Sequence, residues 1–460
     1  MQIDTDNEQF RNALNLVQFT NSSVFLTGKA GTGKSTFLKY VCKNTKKKFV
    51  VLAPTGIAAI NAGGSTLHSF FKLPFHPFVP DDPRYLGGRL RSTLKYNKAH
   101  CKLVKEVELV IVDEISMVRA DVIDLVDRIL RHYSGNMREP FGGKQMLFVG
   151  DVFQLEPVVT RDEREILNRF YETPYFFSAR VFREMPLVSI EFTKVYRQND
   201  STFVKVLDHI RTNAATPADL QLLNTCVGQE ISSEDGGGMF VTLATRRDVV
   251  DSINKSNLDG IEGDSVVLQG EIKGEFPLNS LPTSLELELK VGAQIIFVKN
   301  DMEKRWVNGT IGVVTDIDLE GKSISVVTEE GKHFDVERVK WANVRYSYNE
   351  KEKKIEEEEL GVFTQFPVRL AWAITIHKSQ GLTFNRVAID FSGGVFAGGQ
   401  TYVALSRCRT LEGMVLSTQL GAEAIISDNV VNSYTSTLAQ RTPNEQHLEH
   451  WEKNFFHQLL

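Results

Sequence analysis

Val24-Phe-Leu-Thr-Gly28-Lys-Ala-Gly31-Thr-Gly33-Lys34-Ser35-Thr36 is the stretch from which the rest of the chain can be read. A short apolar run ends in a Gly-x4-Gly-Lys-Ser loop, and Phe37-Leu-Lys-Tyr-Val follows as the opening of a helix. Strand, glycine loop and helix in that order make a phosphate cradle. Glycines let the backbone curl until its N–H groups point inward, and the helix N-terminus adds partial positive charge. On this reading Gly28, Ala30, Gly31, Thr32, Gly33, Lys34, Ser35 and Thr36 surround a nucleoside triphosphate. Lys34 reaches the β- and γ-phosphates, and the Ser35 hydroxyl is a ligand for Mg²⁺.

Outward from the loop, further apolar, β-branched runs read as buried parallel strands of an α/β protein. They are Phe49-Val-Val-Leu-Ala-Pro54, Leu109-Val-Ile-Val-Asp113 and Met146-Leu-Phe-Val-Gly150, each ending in a polar or glycine-bearing loop. Active loops sit at the carboxyl ends of such strands. Lys72-Leu-Pro-Phe-His-Pro-Phe-Val-Pro interrupts the pattern and marks residues 73–105 as an inserted loop or subdomain. A first unit therefore covers 1–72 and 106–195.

A second α/β unit spans 196–259 and 361–460, with strands in Phe240-Val-Thr-Leu-Ala244, Val362-Phe-Thr-Gln-Phe-Pro-Val368, Val387-Ala-Ile-Asp390 and Met414-Val-Leu-Ser417. Its interruption at 260–360 alternates in the β manner between the turn signals Asn308-Gly309, Glu320-Gly321 and Glu330-Gly331, and reads as a small β-barrel. The charge run 350–359 reads as a solvated exit from that barrel, and the last thirty residues as one or two amphipathic helices packed on the body.

The chain has 460 residues, 42% hydrophobic and 24% charged, with a net charge of −5. That composition is globular, and no apolar run has the length of a bilayer span. The acidic, polar start Met1-Gln-Ile-Asp reads as neither a secretory nor a transit signal, so the expected site of action is the cytoplasm, without membrane contact. Cys42, Cys101, Cys226 and Cys408 are far apart and give neither a disulfide framework nor a zinc site. The acidic balance does not advertise a nucleic-acid binder, yet a channel needs only a local basic lining.

Asp113-Glu114 emerges at a strand end beside the phosphate loop, where two acids can divide labour. Asp113 holds Mg²⁺ and Glu114 orients and deprotonates the attacking water, unless the pair simply caps the next helix. Gln154 ends the following strand, and its amide can donate to or accept from a γ-phosphate. Arg197 and Arg407 each lie near a turn or helix start. An arginine from a second domain can neutralise transition-state charge, and residue chemistry alone leaves that open against a plain surface arginine.

Together these residues resemble the superfamily 1 helicases, most closely the petite-integration-frequency (Pif-type) DNA helicases of the 5′-to-3′ group. Besides the loops above, Ala53-Pro-Thr55-Gly56, Gly64-Ser-Thr66-Leu-His68, His377-Lys-Ser379-Gln380-Gly381-x-Thr383 and Tyr402-Val-Ala-Leu-Ser406-Arg407 are similar to family motifs. The helix-like stretch 114–128 is similar to the family's signature segment. The resemblance implies two RecA-like motor domains, with an SH3-like barrel inserted in the second. It implies ATP and Mg²⁺ as cofactors, Arg407 as arginine finger and Arg197 as a second γ-phosphate arginine. Gly381 joins the nucleotide site, and Gln9 stands where the family has an adenine-reading glutamine. Single-stranded DNA and single/double-strand junctions are the implied partners of a monomer. The implied strand contacts are Thr55, Gly56, Thr66, His68, His377, Ser379 and Thr383, where hydroxyl and N–H groups hold phosphates with few formal charges.

Phe70, Phe71, Phe75 and Phe78 form either a duplex-splitting platform or the inserted segment's own core, and the core is the favoured reading. The rival functions are a strand translocase or remodeller that does not separate duplexes, and an ATP-switched clamp. Glu114 and Arg407 argue against the clamp, which needs neither.

Overall fold

Alternate residues of each apolar run in the first unit face opposite ways, so a continuous run signals a strand covered on both sides. The computed structural model describes residues 4, 7–74, 76–185, 187–198, 200–228, 239–320, 322–349, 354–426 and 429–438. Strands Val24–Gly28 (β1), Phe49–Ala53 (β2), Ser65–Thr66 (β3), Leu109–Val112 (β4), Gln145–Val149 (β5) and Val188–Phe192 (β6) pair in parallel, in the order β3-β2-β4-β5-β1-β6. Phe25, Val50, Leu52, Val110, Val112, Met146 and Phe148 enter one apolar core. Val24, Leu26, Val51, Leu109, Ile111, Leu147 and Val149 enter the core on the other face.

The segment 73–105 belongs to the first of these cores. Helices Arg89–Leu94 and Lys98–Glu106 bring Leu90, Leu94, Leu103 and Val104 into it, beside Phe78 and Tyr85. Phe70, Phe71 and Phe78 are buried there, which makes them core; Phe75 lies outside the described residues.

The second parallel sheet runs Ala373–Thr375, Val241–Ala244, Val387–Asp390, Met414–Leu416. The fold is thus α/β with two RecA-like parallel sheets. Residues 362–368, expected in the second sheet, are instead antiparallel. Lys354–Gln365 pairs with Val339–Asn349 and Glu271–Gly274, and Val368–Leu370 pairs with Gln294–Phe297. The acidic run is not an unpaired exit either: from Lys354 its backbone forms a ladder with residues 344–349. Strands Gln294–Phe297, Ile311–Asp318, Ser323–Thr328 and His333–Glu337 complete a five-stranded antiparallel sheet around Phe297, Trp306, Val326 and Phe366.

This insert leans on the first unit. Ile60 packs against the Phe276, Trp341 and Phe363 cluster, and the Asn308 amide donates to Asn61 Oδ1 (3.3 Å). The helix Asn429–Leu438 returns to the first core, where Tyr434 stacks on Phe177 with ring centroids 4.0 Å apart. Of the last thirty residues, expected as one or two helices packed on the body, 431–438 lie in this packed helix and 439–460 lie outside the described residues. No helix among the described residues is long and apolar enough to cross a membrane.

Candidate active site

The carboxyl ends of β1, β4 and β5 open onto a cavity of about 570 Å³ between the two parallel sheets. Ala30, Gly31, Thr32, Gly33, Lys34, Ser35, Thr36, Asp113, Glu114 and Gln154 line it from the first unit. Gly381, Thr383, Arg407 and Arg409 line it from the second, with Tyr196 and Arg197 from the segment between.

Glycine is required in the loop for two separate reasons. Gly31 (φ +79°) and Gly33 (φ +90°) hold left-handed backbone that L-residues rarely adopt, and a Cβ on Gly31 would collide with the Arg197 Cβ. Lys34 opens the helix Lys34–Asn44, and its ammonium donates to the Gly28 carbonyl (2.5 Å) and the Lys29 carbonyl (2.9 Å). Burial holds Lys34 below the ordinary lysine range, with Asp151 and then Glu114 pulling it back up. Gly28 lies under the cavity and not in its wall.

Just past β4, Glu114 sits at φ +51° and ψ +44°, a strained conformation for a non-glycine residue and worth on the order of 1–3 kcal/mol. Its N–H donates to Asp113 Oδ1 (3.0 Å), and its side chain does not cap the short 3₁₀ turn Ile115–Met117 that follows. Burial, then Asp113, pushes the Glu114 carboxyl up to about 7, with Lys34 and Arg407 opposing. A carboxylate tuned to that range can accept a proton near neutral pH. Burial also raises Asp113. The Ser35 and Asp113 oxygens are hard donors of the kind Mg²⁺ takes.

Gln380 crosses the cleft. Its amide donates to Glu114 Oε2 (2.9 Å) and Gln154 Oε1 (3.2 Å), so one second-unit side chain holds both first-unit groups. In the sequence Gln380 stands inside the motif His377-Lys-Ser379-Gln380-Gly381, and nothing local names its partner. Tyr402 and Arg211 were missed for the same reason. The Ala30 N–H donates to the Tyr402 hydroxyl (2.9 Å). Arg211 pairs with Asp151 (3.0 Å), both buried, with its guanidinium 4.4 Å from the Phe153 ring centre. Lys29 reaches Asp208 at 2.5 Å.

Arg407 is 1% exposed and held by its own unit: Nε donates to the Val403 carbonyl (2.8 Å), Nη1 to the Leu382 carbonyl (3.3 Å), Nη2 to Ser406 Oγ (2.8 Å). Burial, then the neighbouring Arg197, pushes its pKa down to about 9. Arg197 is itself lowered by burial, and its buried Nη1 has no hydrogen-bond partner. Two buried guanidiniums that line one cavity are stabilised by an anion placed between them.

Besides Gly28, three expected positions fall elsewhere. Gln9 does not line the cavity: its amide donates to Thr193 Oγ1 (3.0 Å) and accepts from the Thr193 N–H (3.1 Å), while Asn7, Phe10, Phe192 and Tyr196 form the wall beyond Gly33. Ser379 is fully buried with its hydroxyl bonded to the Ile376 carbonyl (2.7 Å), because it is folded under its own loop. Thr383 borders the nucleotide cavity instead of an outer face. The remaining strand candidates lie outside the cavity wall. Thr55 and Thr66 cap the helices Gly56–Ala62 and Leu67–Phe71, with their hydroxyls accepting from the Ala58 N–H (3.2 Å) and the Ser69 N–H (3.0 Å). Gly56 lies under the insert, where a Cβ would sit 2.5 Å from Ser280 Oγ. His68 and His377 are partly buried, and burial lowers both pKa values.

Residues 3–217 match the family model described as PIF1-like helicase. The ATP-dependent DNA helicase PIF1 of Danio rerio is 34% identical over 410 residues, covering 86% of this chain and 58% of its own length. The ATP-dependent DNA helicase Pif1 of Bdellovibrio bacteriovorus is 30% identical over 433 residues, covering 92% and 90%. The chain thus spans a little over half the length of the vertebrate relatives and nearly all of the bacterial one. Bacteroides sp. Pif1 in complex with ADP-AlF4 superposes with a TM-score of 0.86 at 41% identity, covering 94% of this chain and 97% of that one. Bacteroides Pif1 bound to single-stranded DNA superposes with a TM-score of 0.67 at 42% identity, covering 95% and 97%.

Proposed function

The chain belongs to the PIF1-like helicase family, and from that premise we propose an ATP-dependent DNA helicase that moves 5′-to-3′ along a single strand and separates the duplex ahead of it. The observation that carries this reading is Gln380, which reaches from the second unit to Glu114 and Gln154 in the first. A pocket completed only when two domains meet is what a motor needs, because closing and opening the cleft can then be tied to the state of the nucleotide.

In this mechanism the triphosphate lies along the loop 28–36, with Lys34 on the β- and γ-phosphates and the base beside Phe10, Phe192 and Tyr196. Ser35 and Asp113 would hold Mg²⁺, which when bound would draw charge from the phosphates. Glu114 takes the proton of the attacking water. Arg197 and Arg407 neutralise the equatorial oxygens as charge develops there, and Gln154 registers loss of the γ-phosphate. Hydrolysis loosens the cleft, and the strand advances between Thr55, Gly56, Thr66 and His68 on one unit and His377 on the other. The working unit is a monomer, acting in the cytoplasm or on the nucleoid.

The test is ATP-dependent opening of one duplex carrying either a 5′ or a 3′ single-stranded tail, with Lys34→Ala as control. Opening of the 5′-tailed duplex alone is the expected result. Opening of the 3′-tailed one alone reverses the polarity. If neither opens while single strands still accelerate ATP hydrolysis, the protein is a translocase or remodeller.

A further inference from the structure

Single exposed apolar side chains are common and need no explanation. Phe396, 61% exposed, differs from the others in its setting. It stands in the loop 391–399, Phe-Ser-Gly-Gly-Val-Phe-Ala-Gly-Gly, at the carboxyl end of the strand Val387–Asp390. A sequence so rich in glycine would wander if left to itself, yet this loop is tied down along its length. The Ser392 N–H donates to Asp390 Oδ1 (2.8 Å), and the Gly394 N–H to the Phe391 carbonyl (2.9 Å). The Phe396 N–H donates to Oε1 of the fully buried Gln400 (3.2 Å), and the Gly398 N–H to Glu156 Oε1 (3.4 Å). Gly399 passes so close to the Phe153 and Gln154 carbonyls that a Cβ there would collide with both. A large ring is therefore held out in water by backbone of fixed shape.

The ring also has a companion. Phe396 and His377 lie with their planes 16° apart and their centroids 6.4 Å apart, so a flat group laid on one face is parallel to the other. Burial keeps His377 toward its neutral form, which presents a π-face without a charge to desolvate. Lys378 follows it in the chain, and the Arg369 and Arg247 charges lie near that ammonium. Lys378 is lowered by burial first and then by the Arg369 and Arg247 charges, with Asp251 opposing. Flat faces for bases beside cations for phosphates are how single strands are held without reading sequence.

We propose that Phe396, with His377, is a stacking platform for a base of the single strand, displayed by a loop clipped to the Gln154 segment of the first unit. The proposal rests on the strand-translocating reading and deepens it. The same loop touches the backbone of Gln154, so a shift at the γ-phosphate end is transmitted to the base it holds.

The experiment compares binding of a labelled oligothymidine with binding of an oligomer of equal length whose central nucleotides lack bases. The proteins are the wild type, Phe396→Ala, Phe396→Trp and Met302→Ala, the last a 97% exposed side chain on the antiparallel insert that serves as control. Phe396→Ala weakens oligothymidine binding by about 5- to 150-fold and leaves binding of the base-free oligomer as in the wild type. Phe396→Trp keeps oligothymidine affinity, and its emission is quenched by oligothymidine but not by the base-free oligomer. Equal weakening of both oligomers by Phe396→Ala, or of neither, overturns the platform. A wild type that binds neither oligomer overturns the strand reading itself, and the platform with it.

Discussion

The Glu114 carboxyl carries two opposite pH signatures. In the proposed role of proton acceptor it works only when ionised, and burial has moved its pKa from an ordinary 4.5 to about 7. Hydrolysis should therefore rise with pH through about 7, in a steady-state pH profile at saturating ATP. Stability runs the other way. A carboxyl raised on folding stabilises the fold fully below its unfolded value near 4.5, and that contribution is lost as pH climbs through about 7. Glu114→Gln imitates the protonated acid, so it should melt higher than the wild type at pH 8, with the gap closing toward pH 5, while hydrolysing almost no ATP. Equal melting points at both pH values would remove the strained, dry environment assigned to this carboxyl. Arg407 makes the complementary case. Its guanidinium rests on its own unit's carbonyls, so Arg407→Ala leaves the phosphate loop intact. ATP binding should persist while turnover falls by ~10³ to 10⁵, measured by single-turnover hydrolysis; near-normal turnover would remove the finger assignment.

At the scale of elements, the loop after β5 is joined to the helix Ser201–Arg211 by the buried Asp151–Arg211 pair. Breaking such a pair strands a charge in a dry interface and costs about 3–5 kcal/mol. Asp151→Asn and Arg211→Met should each lower stability by that order in chemical denaturation. The double variant should cost less than their sum by on the order of 1–3 kcal/mol; strict additivity would mean the pair does not clasp the units. This clasp also marks where sequence reading stops. The glycine loop and acid pair that line the cavity, and the buried strands β1, β2, β4 and β5, were legible as positions because each is a local pattern of adjacent residues. Residues 362–368 were misread because an apolar run looks alike in a covered parallel strand and in the core of an antiparallel sheet. The acidic run misled through composition, since glutamate is a poor strand former, and here the partner strand Val339–Asn349 decides the conformation. Arg211, Tyr402 and Gln380 were illegible for another reason: their partners lie about 60, 370 and 266 positions away in the chain.

For the whole molecule, two parallel sheets share one cavity, and the chain links them at both ends. The segment at Arg197 leads out of the first unit, and the helix Asn429–Leu438 leads back to it. The loop beginning at His377, where a strand contact is proposed, and the cavity are therefore parts of one closed frame, with Gln380 as the side chain common to both. Binding at the two sites should then be linked, and linkage is reciprocal. A non-hydrolysable ATP analogue should tighten oligothymidine binding by a factor of about 5 to 150. Oligothymidine should tighten the analogue by the same factor, with all four equilibrium constants measured by titration. Gln380→Ala cuts the shortest connection, so the factor should fall toward one even if each separate affinity shifts. A factor unchanged in Gln380→Ala would mean that communication runs instead through Ala30–Tyr402 and Asp151–Arg211, and the same titrations on Tyr402→Phe and Arg211→Met would locate it.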